Sequence, residues 1–333
     1  MPLSYDPEFA AAAGPMVSAM AAALKTLRHD ISALRSAIDA MIAPVLSLPP
    51  VPGIEVTEHE VSSNDGHKIR INFIAPKDQK HTPPGPAIFY IHGGGFIHGD
   101  ARHWTNIRAM QVHKTGIPIF TINYRLAPEF PFPAGIEDIY TALTWINTHA
   151  EKFGVDNKRI CIMGESAGGG LAAGIALMAR DRCLSPPLAK QIILFPMLDD
   201  RTVASHAELE ELVTWNTENN ATGWAAYLGQ SKSQMENDNA NGDTGAEANA
   251  VSPYAAPARA SDLKGLPPLY MDVGGLDILR EECIAYAGRA AAANVEVELH
   301  VYPGVTHGFE ALAVGTGVAD RALANRHAAM QTL

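Results

Sequence analysis

Hydrophobic residues recur every three or four positions near the start of the chain, the spacing of one face of an α-helix. We therefore expect helix from residue 7 to about residue 43, with Pro15 breaking or kinking it early. Its polar face is not strongly basic, so we expect a helix pair packed on the protein body and not a membrane-surface helix. The recurring positions are Phe9, Ala13, Met16, Met20, Leu24, Leu27, Ile31, Leu34, Ile38 and Met41.

Beyond a proline-rich linker, the pattern changes to alternation of apolar and polar residues. Residues 54–61 and 67–76 flank the turn-forming run SSNDG, which predicts a β-hairpin. Short apolar segments follow, most of them separated by helical patterns such as residues 134–153 and 167–181. This alternation predicts a mostly parallel sheet with helices on both faces, to which the hairpin adds an antiparallel edge. The apolar segments are residues 86–92, 117–124, 159–164, 191–197, 268–273 and 295–302.

One long segment, residues 199–252, interrupts this alternation. Its polar stretch, residues 230–249, is expected to be a loop. An insertion after a strand usually lies over the site of an open α/β sheet, so we expect a cap formed with the N-terminal helices. Trp215, Trp224 and Tyr227 either line an acyl or alcohol pocket or pack inside this cap. The expected units are residues 1–50 (cap helices and linker), 51–198 (first part of the core), 199–252 (cap insertion) and 253–333 (second part of the core).

The composition narrows the class of partner. The 333 residues are 47% hydrophobic and 18% charged, with a formal net charge of −11, which argues against binding nucleic acid or anionic lipid. The three cysteines are far apart, and Asp6 and Glu8 stand where a signal peptide needs positive charge. No uncharged apolar run approaches the roughly 20 residues of a membrane span. We therefore expect a cytoplasmic protein without stable membrane insertion.

The run 164-GESAG-168 places one serine between two glycines. A Gly-x-Ser-x-Gly pattern alone also fits any close crossing of a helix and a strand. Here a buried strand precedes the pattern and a helix follows it, which puts Ser166 on a sharp turn at the carboxyl edge of the sheet. Gly164 and Gly168 leave the room that such a turn needs. Ser166 is therefore the candidate nucleophile.

A serine nucleophile needs a base and an acid that orients the base. His300 shares a strand face with polar residues and is expected to be solvated, whereas His307 lies on the Gly-rich loop beyond that strand. Asp272 lies inside a strand and is expected to be structural. Asp277 follows that strand, and from the residues alone it is either the acid or a helix N-cap. The order Ser166, Asp277, His307 is the one expected for this kind of sheet.

The developing negative charge of an acyl-transfer reaction needs hydrogen-bond donors. The segment 92-HGGGF-96 ends a strand and offers backbone N–H groups free of side chains. Gly94 and Gly95, with the N–H of Ala167, are the candidate oxyanion donors, and a plain Gly-rich loop is the alternative.

Two other groups of titratable residues are weaker candidates. A possible metal cluster consists of His98, Asp100 and His103, which lie close together in the sequence. No metal is expected, because a serine, histidine and aspartate triad works without one. Glu137 and Asp138 follow Pro133 and are interpreted as charges at the start of a helix.

Five motifs together resemble those of the hormone-sensitive-lipase-like esterases of the α/β-hydrolase superfamily. They are 92-HGGG-95, 124-YRLAPEFPFPA-134, 164-GESAGG-169, 277-DILREE-282 and 307-HGF-309, in the family's order. The resemblance covers roughly residues 50–333. It implies an α/β-hydrolase fold with an eight-stranded sheet, a helical cap and no cofactor. Two positions depart from the commonest family pattern: Glu165 stands in place of Asp, and Ile278 in place of Pro.

The expected function is hydrolysis of a small-molecule carboxylic ester through an acyl-enzyme. By analogy with the family, the acyl chain is expected to be short to medium. The same triad also serves lactones, amides and carbamates. The alternative from another class of protein is a small-molecule receptor with an inactive triad. The plant gibberellin receptors resemble this family but lack the triad histidine. His307 is present in this sequence, which argues against the receptor alternative. In the family the last strand often pairs across a dimer, so a homodimer through residues 295–302 is expected.

Overall fold

The computed structural model describes residues 2–24, 30–46, 48–77, 83–202, 206–230 and 251–333. The expected polar loop at residues 230–249 lies, apart from its first residue, outside these ranges.

All eight predicted strands form, and they make one sheet with the order β1-β2-β4-β3-β5-β6-β7-β8. The first two pairings in this order, β1 with β2 and β2 with β4, are antiparallel, and the other five are parallel. The strands are β1 Ile54–Ser62, β2 Lys68–Pro76, β3 Gly85–Ile91, β4 Ile119–Asn123, β5 Val155–Glu165, β6 Lys190–Leu194, β7 Leu269–Gly274 and β8 Val297–Tyr302.

Helices lie on both faces of the sheet, as predicted. The helices are α1 Pro7–Leu24, α2 Ile31–Leu46, α3 Ala101–Thr115, α4 Ala134–His149, α5 Ala167–Asp181, α6 Ala207–Glu210, α7 Thr217–Tyr227, α8 Arg280–Ala292, α9 Phe309–Leu312 and α10 Gly317–Gln331. Helix α3 contacts α10, while α4 contacts α5, and each pair packs on strands of the sheet. Short 3₁₀ turns occupy Ala150–Phe153 and Pro257–Arg259.

The N-terminal helical pattern folds as two helices, with their break at a different place from the one expected. Helix α1 continues through Pro15 to Leu24, so the proline does not end it. The buried residues Phe9, Ala13 and Val17 of α1 pack in a cluster with residues near the end of β8, and α2 contacts α3. Within the described residues, no helix has both the length and the apolar character needed to cross a membrane.

Two acidic residues have roles in the interior. The interpretation of Asp138 as a helix-start charge is wrong, because its side chain is fully buried and accepts hydrogen bonds from the Nε (2.8 Å) and Nη2 (2.7 Å) atoms of Arg125. Periodicity could not show this pairing, because it depends on the loop that precedes α4. Asp272 is structural, as expected. Its buried carboxylate accepts hydrogen bonds from Nε (2.6 Å) and Nη2 (2.9 Å) of Arg326, and this ion pair joins β7 to α10.

The order of the strands brings four loops to one edge of the sheet. Strands β3 and β5 are parallel neighbours, with Ile91 paired to Gly164, so the loop after β3 lies beside the turn after β5. Strands β7 and β8 are also parallel neighbours, and β6 joins them to β5. The carboxyl ends of parallel strands share one edge, which is where ligands bind in open α/β sheets.

Candidate active site

Ser166 occupies a strained turn between β5 and α5. Its backbone has φ 55° and ψ −123°, a conformation that residues with a side chain rarely adopt. Gly164 and Gly168 make the turn possible, because a Cβ on Gly164 would lie 2.1 Å from the carbonyl oxygen of Gly168. The turn leaves Ser166 8% exposed at the carboxyl edge of the sheet.

The structure brings the three residues predicted as a triad into one hydrogen-bonded line. Ser166 Oγ lies 3.0 Å from His307 Nε2, and His307 Nδ1 lies 2.7 Å from Asp277 Oδ2. Asp277 is 1% exposed, and the Phe195 ring packs on the imidazole in a T-shaped contact with 4.7 Å between ring centroids. This is the arrangement in which a histidine accepts a serine proton while a carboxylate holds the other ring nitrogen.

The electrostatics of His307 reflect two opposed effects. Burial lowers the pKa of His307, but the adjacent Asp277 carboxylate raises it through its charge and its hydrogen bond, and the pKa ends above its ordinary value. Glu310 and Glu165 add smaller contributions in the same direction. A base of this kind holds a proton well once it has received one.

Asp277 also organises the start of the helix that follows it. Its Oδ1 atom accepts the backbone N–H of Leu279 at 3.0 Å, and α8 begins at Arg280. Asp277 is not the helix N-cap, because α8 is capped at Leu279 without a side-chain hydrogen bond. One oxygen of Asp277 orders the turn before the helix, and the other faces His307.

The loop after β3 supplies backbone donors beside the serine. Gly94 and Gly95 have positive φ values of 118° and 60°. In the described part of the chain, the N–H groups of Gly94, Gly95 and Ala167 donate to no protein acceptor. The neighbouring Gly93 lies so close that a Cβ there would be 3.2 Å from the Cβ of Ser166. The three predicted donors thus belong to two backbone segments that meet at the candidate nucleophile.

Residues from α2 hold this loop, a feature that the sequence reasoning missed. Arg35 donates through Nε to the carbonyl of Ile97 (2.7 Å) and through Nη2 to that of Ala127 (2.9 Å). Asp39, one helical turn later, lies 2.7 Å from His98 Nε2. The four-residue spacing of Arg35 and Asp39 predicts at most an ion pair within the helix, so it gave no signal for their contacts with the loop.

Aromatic residues of segment 206–230 pack on the other side of the glycine loop. The Trp215 ring lies against Gly95, where an added Cβ would be 2.7 Å from the ring. Trp224 and Tyr227 pack on Phe96, with ring centroids 4.8 and 4.3 Å away. Trp224 and Tyr227 are therefore packing residues, while Trp215 is the one that touches a candidate oxyanion donor.

The group considered as a metal cluster is engaged elsewhere. His98 pairs with Asp39, while Asp100 caps the N-terminus of α3 by accepting the N–H of Arg102 at 2.9 Å. Across the ranges that the structure describes, no three His, Cys, Asp or Glu side chains are placed to hold a metal ion.

Comparison with known proteins places these features in a family. Residues 88–311 match a family model described by the α/β hydrolase fold. Esterase LipI of Mycobacterium tuberculosis is 36% identical over 227 residues, which cover 67% of this chain and 65% of LipI. The ethyl acetate hydrolase of Pseudomonas putida is 26% identical over 76% of this chain and 75% of its own. The matched regions of both relatives are thus about two thirds to three quarters of their length.

A solved structure resembles the whole chain. A bacterial heroin esterase superposes with a TM-score of 0.84 and 36% sequence identity, over 99% of this chain and 98% of its own. The likeness therefore includes the N-terminal helices and segment 206–230 as well as the sheet.

Proposed function

The chain belongs to the hormone-sensitive-lipase-like esterases of the α/β-hydrolase superfamily, and on that premise we propose that it is a carboxylesterase whose nucleophile, base and acid are Ser166, His307 and Asp277. The observation that carries the proposal is the line of hydrogen bonds from Asp277 through His307 to Ser166. Without that line the glycine turn alone would support only a close helix–strand crossing.

The proposed reaction has two halves. Ser166 Oγ attacks the ester carbonyl carbon while His307 Nε2 takes its proton, and the resulting oxyanion accepts hydrogen bonds from the N–H groups of Gly94, Gly95 and Ala167. His307 returns the proton to the leaving alcohol, which gives an acyl-enzyme. Water then attacks the acyl carbon by the same route, and the acid and Ser166 are released.

Covalent labelling tests this function against the receptor alternative. An activated serine should react with an aryl phosphonate in a ratio of one phosphonate per chain, and mass spectrometry should place it on Ser166. The same preparation should hydrolyse an aryl acetate, with lactones and aryl amides as competing substrate classes. A protein that binds small ligands but neither reacts with the phosphonate nor turns over any of these substrates would be a receptor.

We also propose that residues 1–50 and 199–252 form a cap over this site, flanking the core segments 51–198 and 253–333. The contacts of Arg35 and Asp39 with the loop after β3 support the first part, and the contact of Trp215 with Gly95 supports the second. Both parts of the proposed cap thus contact the loop that carries the proposed oxyanion donors.

The substrate we propose is an ester of a short-to-medium carboxylic acid. Trp215 fills space directly against Gly95, and the Gly95 N–H is proposed to hold the carbonyl oxygen, so the indole restricts the volume near the reacting carbonyl. A relative named for ethyl acetate hydrolysis, an ester with a two-carbon acyl group, is consistent with a small site.

Replacing Trp215 should change the preferred acyl length. We expect Trp215→Ala to move the maximum of kcat/KM toward longer acyl chains in a series of 4-nitrophenyl esters. Each methylene that the enlarged site buries is worth about 0.8 kcal/mol, or about fourfold in kcat/KM. In a second series, acetates of different alcohols, the order of rates should be the same for Trp215→Ala and the wild type.

The matched control is Trp224→Ala. It removes the same side chain from the same segment, but Trp224 packs on Phe96 and Tyr227, whereas the ring nearest to the Cβ position of Gly95 is that of Trp215. It should lower stability without moving the maximum. An unchanged chain-length profile for Trp215→Ala, or equal shifts in both variants, would contradict the role given to Trp215.

We further propose a homodimer through β8. This strand lies at the end of the sheet order, in the described residues it pairs only with β7, and its Val301 side chain is 39% exposed. Light scattering should give twice the chain mass of 35.6 kDa, and Val301→Lys should shift it toward the monomer. Val56→Lys is the control, because Val56 is 45% exposed and lies on the opposite edge strand, β1. A monomeric wild type rejects the proposal.

A further inference from the structure

Glu165, the residue immediately before Ser166, carries a buried carboxylate that the proposed mechanism does not use. Its side chain is 14% exposed. One oxygen, Oε1, accepts the indole N–H of Trp104, and the other, Oε2, lies 3.6 Å from Nη2 of Arg108. Both partners lie on α3, the helix that follows the glycine loop. The carboxylate therefore ties the turn that holds Ser166 to this helix.

Arg108 depends on this carboxylate for its charge balance. Its side chain is 8% exposed, and its guanidinium lies over the Tyr90 ring at 4.3 Å from the centroid. Burial, followed by the negative charge of Glu165, raises the pKa of the Tyr90 hydroxyl. A buried cation of this kind is costly when its partner is removed.

The contact continues from Trp104 to the first residue of the glycine loop. The indole stacks on the His92 ring with 5.0 Å between centroids and 16° between planes. Tyr124 also stacks on that ring, with 4.5 Å between centroids, and its hydroxyl donates to the His92 carbonyl at 2.9 Å. Burial lowers the pKa of His92 to about 4, so the ring is neutral at neutral pH and packs as an aromatic group.

The glycine loop closes around this stack. A Cβ on Gly99, where the loop returns, would lie 2.4 Å from the His92 ring. Gly93 lies directly on Glu165, because a Cβ there would be 3.0 Å from the Glu165 carbonyl oxygen and 3.5 Å from its Cγ. Glu165 thus touches the loop twice: directly at Gly93, and through Trp104 at His92.

We propose that Glu165 is a positioning residue that sets the glycine loop relative to Ser166 by holding Trp104 against His92. The inference rests on the proposed esterase function, since the position of the loop matters only if its N–H groups bind an oxyanion. This role also explains why residue 165 is a glutamate, although aspartate is commoner at this position in the family. A carboxylate one methylene shorter reaches about 1.5 Å less far and would leave the indole N–H unpaired.

Substitutions at Glu165 separate positioning from stability. Glu165→Ala should lower kcat about 10- to 100-fold with KM changed less than about twofold, because a displacement of about 1 Å in a catalytic group can cost 10²-fold. Affinity for a trifluoromethyl ketone, which forms the oxyanion, should fall by a similar factor. Glu165→Gln keeps an acceptor for Trp104 and should recover most of the rate. Asp200→Asn, which breaks another buried ion pair, with Arg259, should reduce stability and leave kcat near wild type.

A double-mutant cycle with Trp104→Phe tests whether Glu165 acts on the glycine loop through Trp104. Phenylalanine keeps an aromatic ring on His92 but has no N–H, so the effects of Glu165→Ala and Trp104→Phe on kcat should be strongly non-additive. Additive effects, or a loss confined to KM, would overturn the proposal while leaving the esterase function intact. A wild type that neither turns over esters nor reacts with a phosphonate would instead defeat the proposed function. If Glu165→Ala does not fold, Glu165→Asp and Trp104→Phe carry the same cycle, because the shorter carboxylate is expected to leave the indole N–H unpaired.

Discussion

Ser166→Ala should reduce ester hydrolysis on the order of 10⁴- to 10⁶-fold in kcat, the loss typical of removing a serine nucleophile. The change deletes the Oγ atom and therefore abolishes the hydrogen bond between Ser166 and His307. The turn itself is held by backbone bonds, from Ser166 N to Leu194 O at 2.9 Å and from Met197 N to Ser166 O at 3.0 Å. Rates at saturating 4-nitrophenyl acetate provide the measurement.

Three further observations make that result specific. The melting temperature of Ser166→Ala should stay close to wild type, and the phosphonate label should disappear. Ser36→Ala, on the exposed side of α2, removes a hydroxyl that bonds only to its own helix and should leave both activity and labelling unchanged. A residual rate above that of water is expected, since the oxyanion donors and His307 remain. Retention of more than about a tenth of the activity would exclude Ser166 as the nucleophile.

Much of this architecture could be predicted from short-range patterns. Six of the strands follow from apolar runs of six to eight residues, and the other two follow from the alternating pattern of a hairpin. Helix α5 has the predicted bounds, residues 167–181, because a buried strand before Ser166 and a periodic helix after it fix the position of the turn. The chain order of Ser166, Asp277 and His307 predicted which loops meet, because the carboxyl ends of parallel strands share one edge. The three residues come close in space because the strands that precede them lie close together in the sheet.

The contacts that surround the triad could not be predicted in the same way. Glu165 is 61 residues from Trp104, and its role depends on how α3 lies against the turn, a matter of packing and not of periodicity. Trp215 reaches Gly95 from a segment whose pattern allowed either pocket lining or internal packing. β6 also ends three residues earlier than its apolar run, because Phe195 turns out of the strand with φ 34°.

These long-range contacts share one target. The glycine loop after β3 is held by Arg35 and Asp39 from α2, by Trp215 from segment 206–230 and by Trp104 from α3. A loop of consecutive glycines has high conformational entropy when free, so fixed donors require support from several sides. Helix α2 and segment 206–230 therefore support the loop that carries the proposed oxyanion donors.

Asp277→Asn should lower kcat/KM about 10⁴-fold while leaving the fold intact, for a reason that the structure makes explicit. One oxygen of Asp277 accepts the N–H of Leu279 at 3.0 Å, and the other faces His307 Nδ1 at 2.7 Å. In the variant, the amide oxygen stays on the Leu279 N–H, so the amide NH₂ must face His307. Nδ1 then has to accept, the proton moves to Nε2, and Nε2 can no longer take the proton of Ser166.

The pH dependence of the same variant supplies an independent check. Hydrolysis needs neutral His307, so the acid limb of kcat/KM in the wild type should lie above pH 6.5. Burial lowers the pKa of His307, but the charge and hydrogen bond of Asp277, together with the charges of Glu310 and Glu165, raise it above its ordinary value. Removal of that carboxylate leaves burial as the largest influence on this pKa, and the acid limb of the residual activity should move to lower pH. An acid limb that stays in place, or a rate loss of less than about tenfold, would show that Asp277 serves only to order the start of α8.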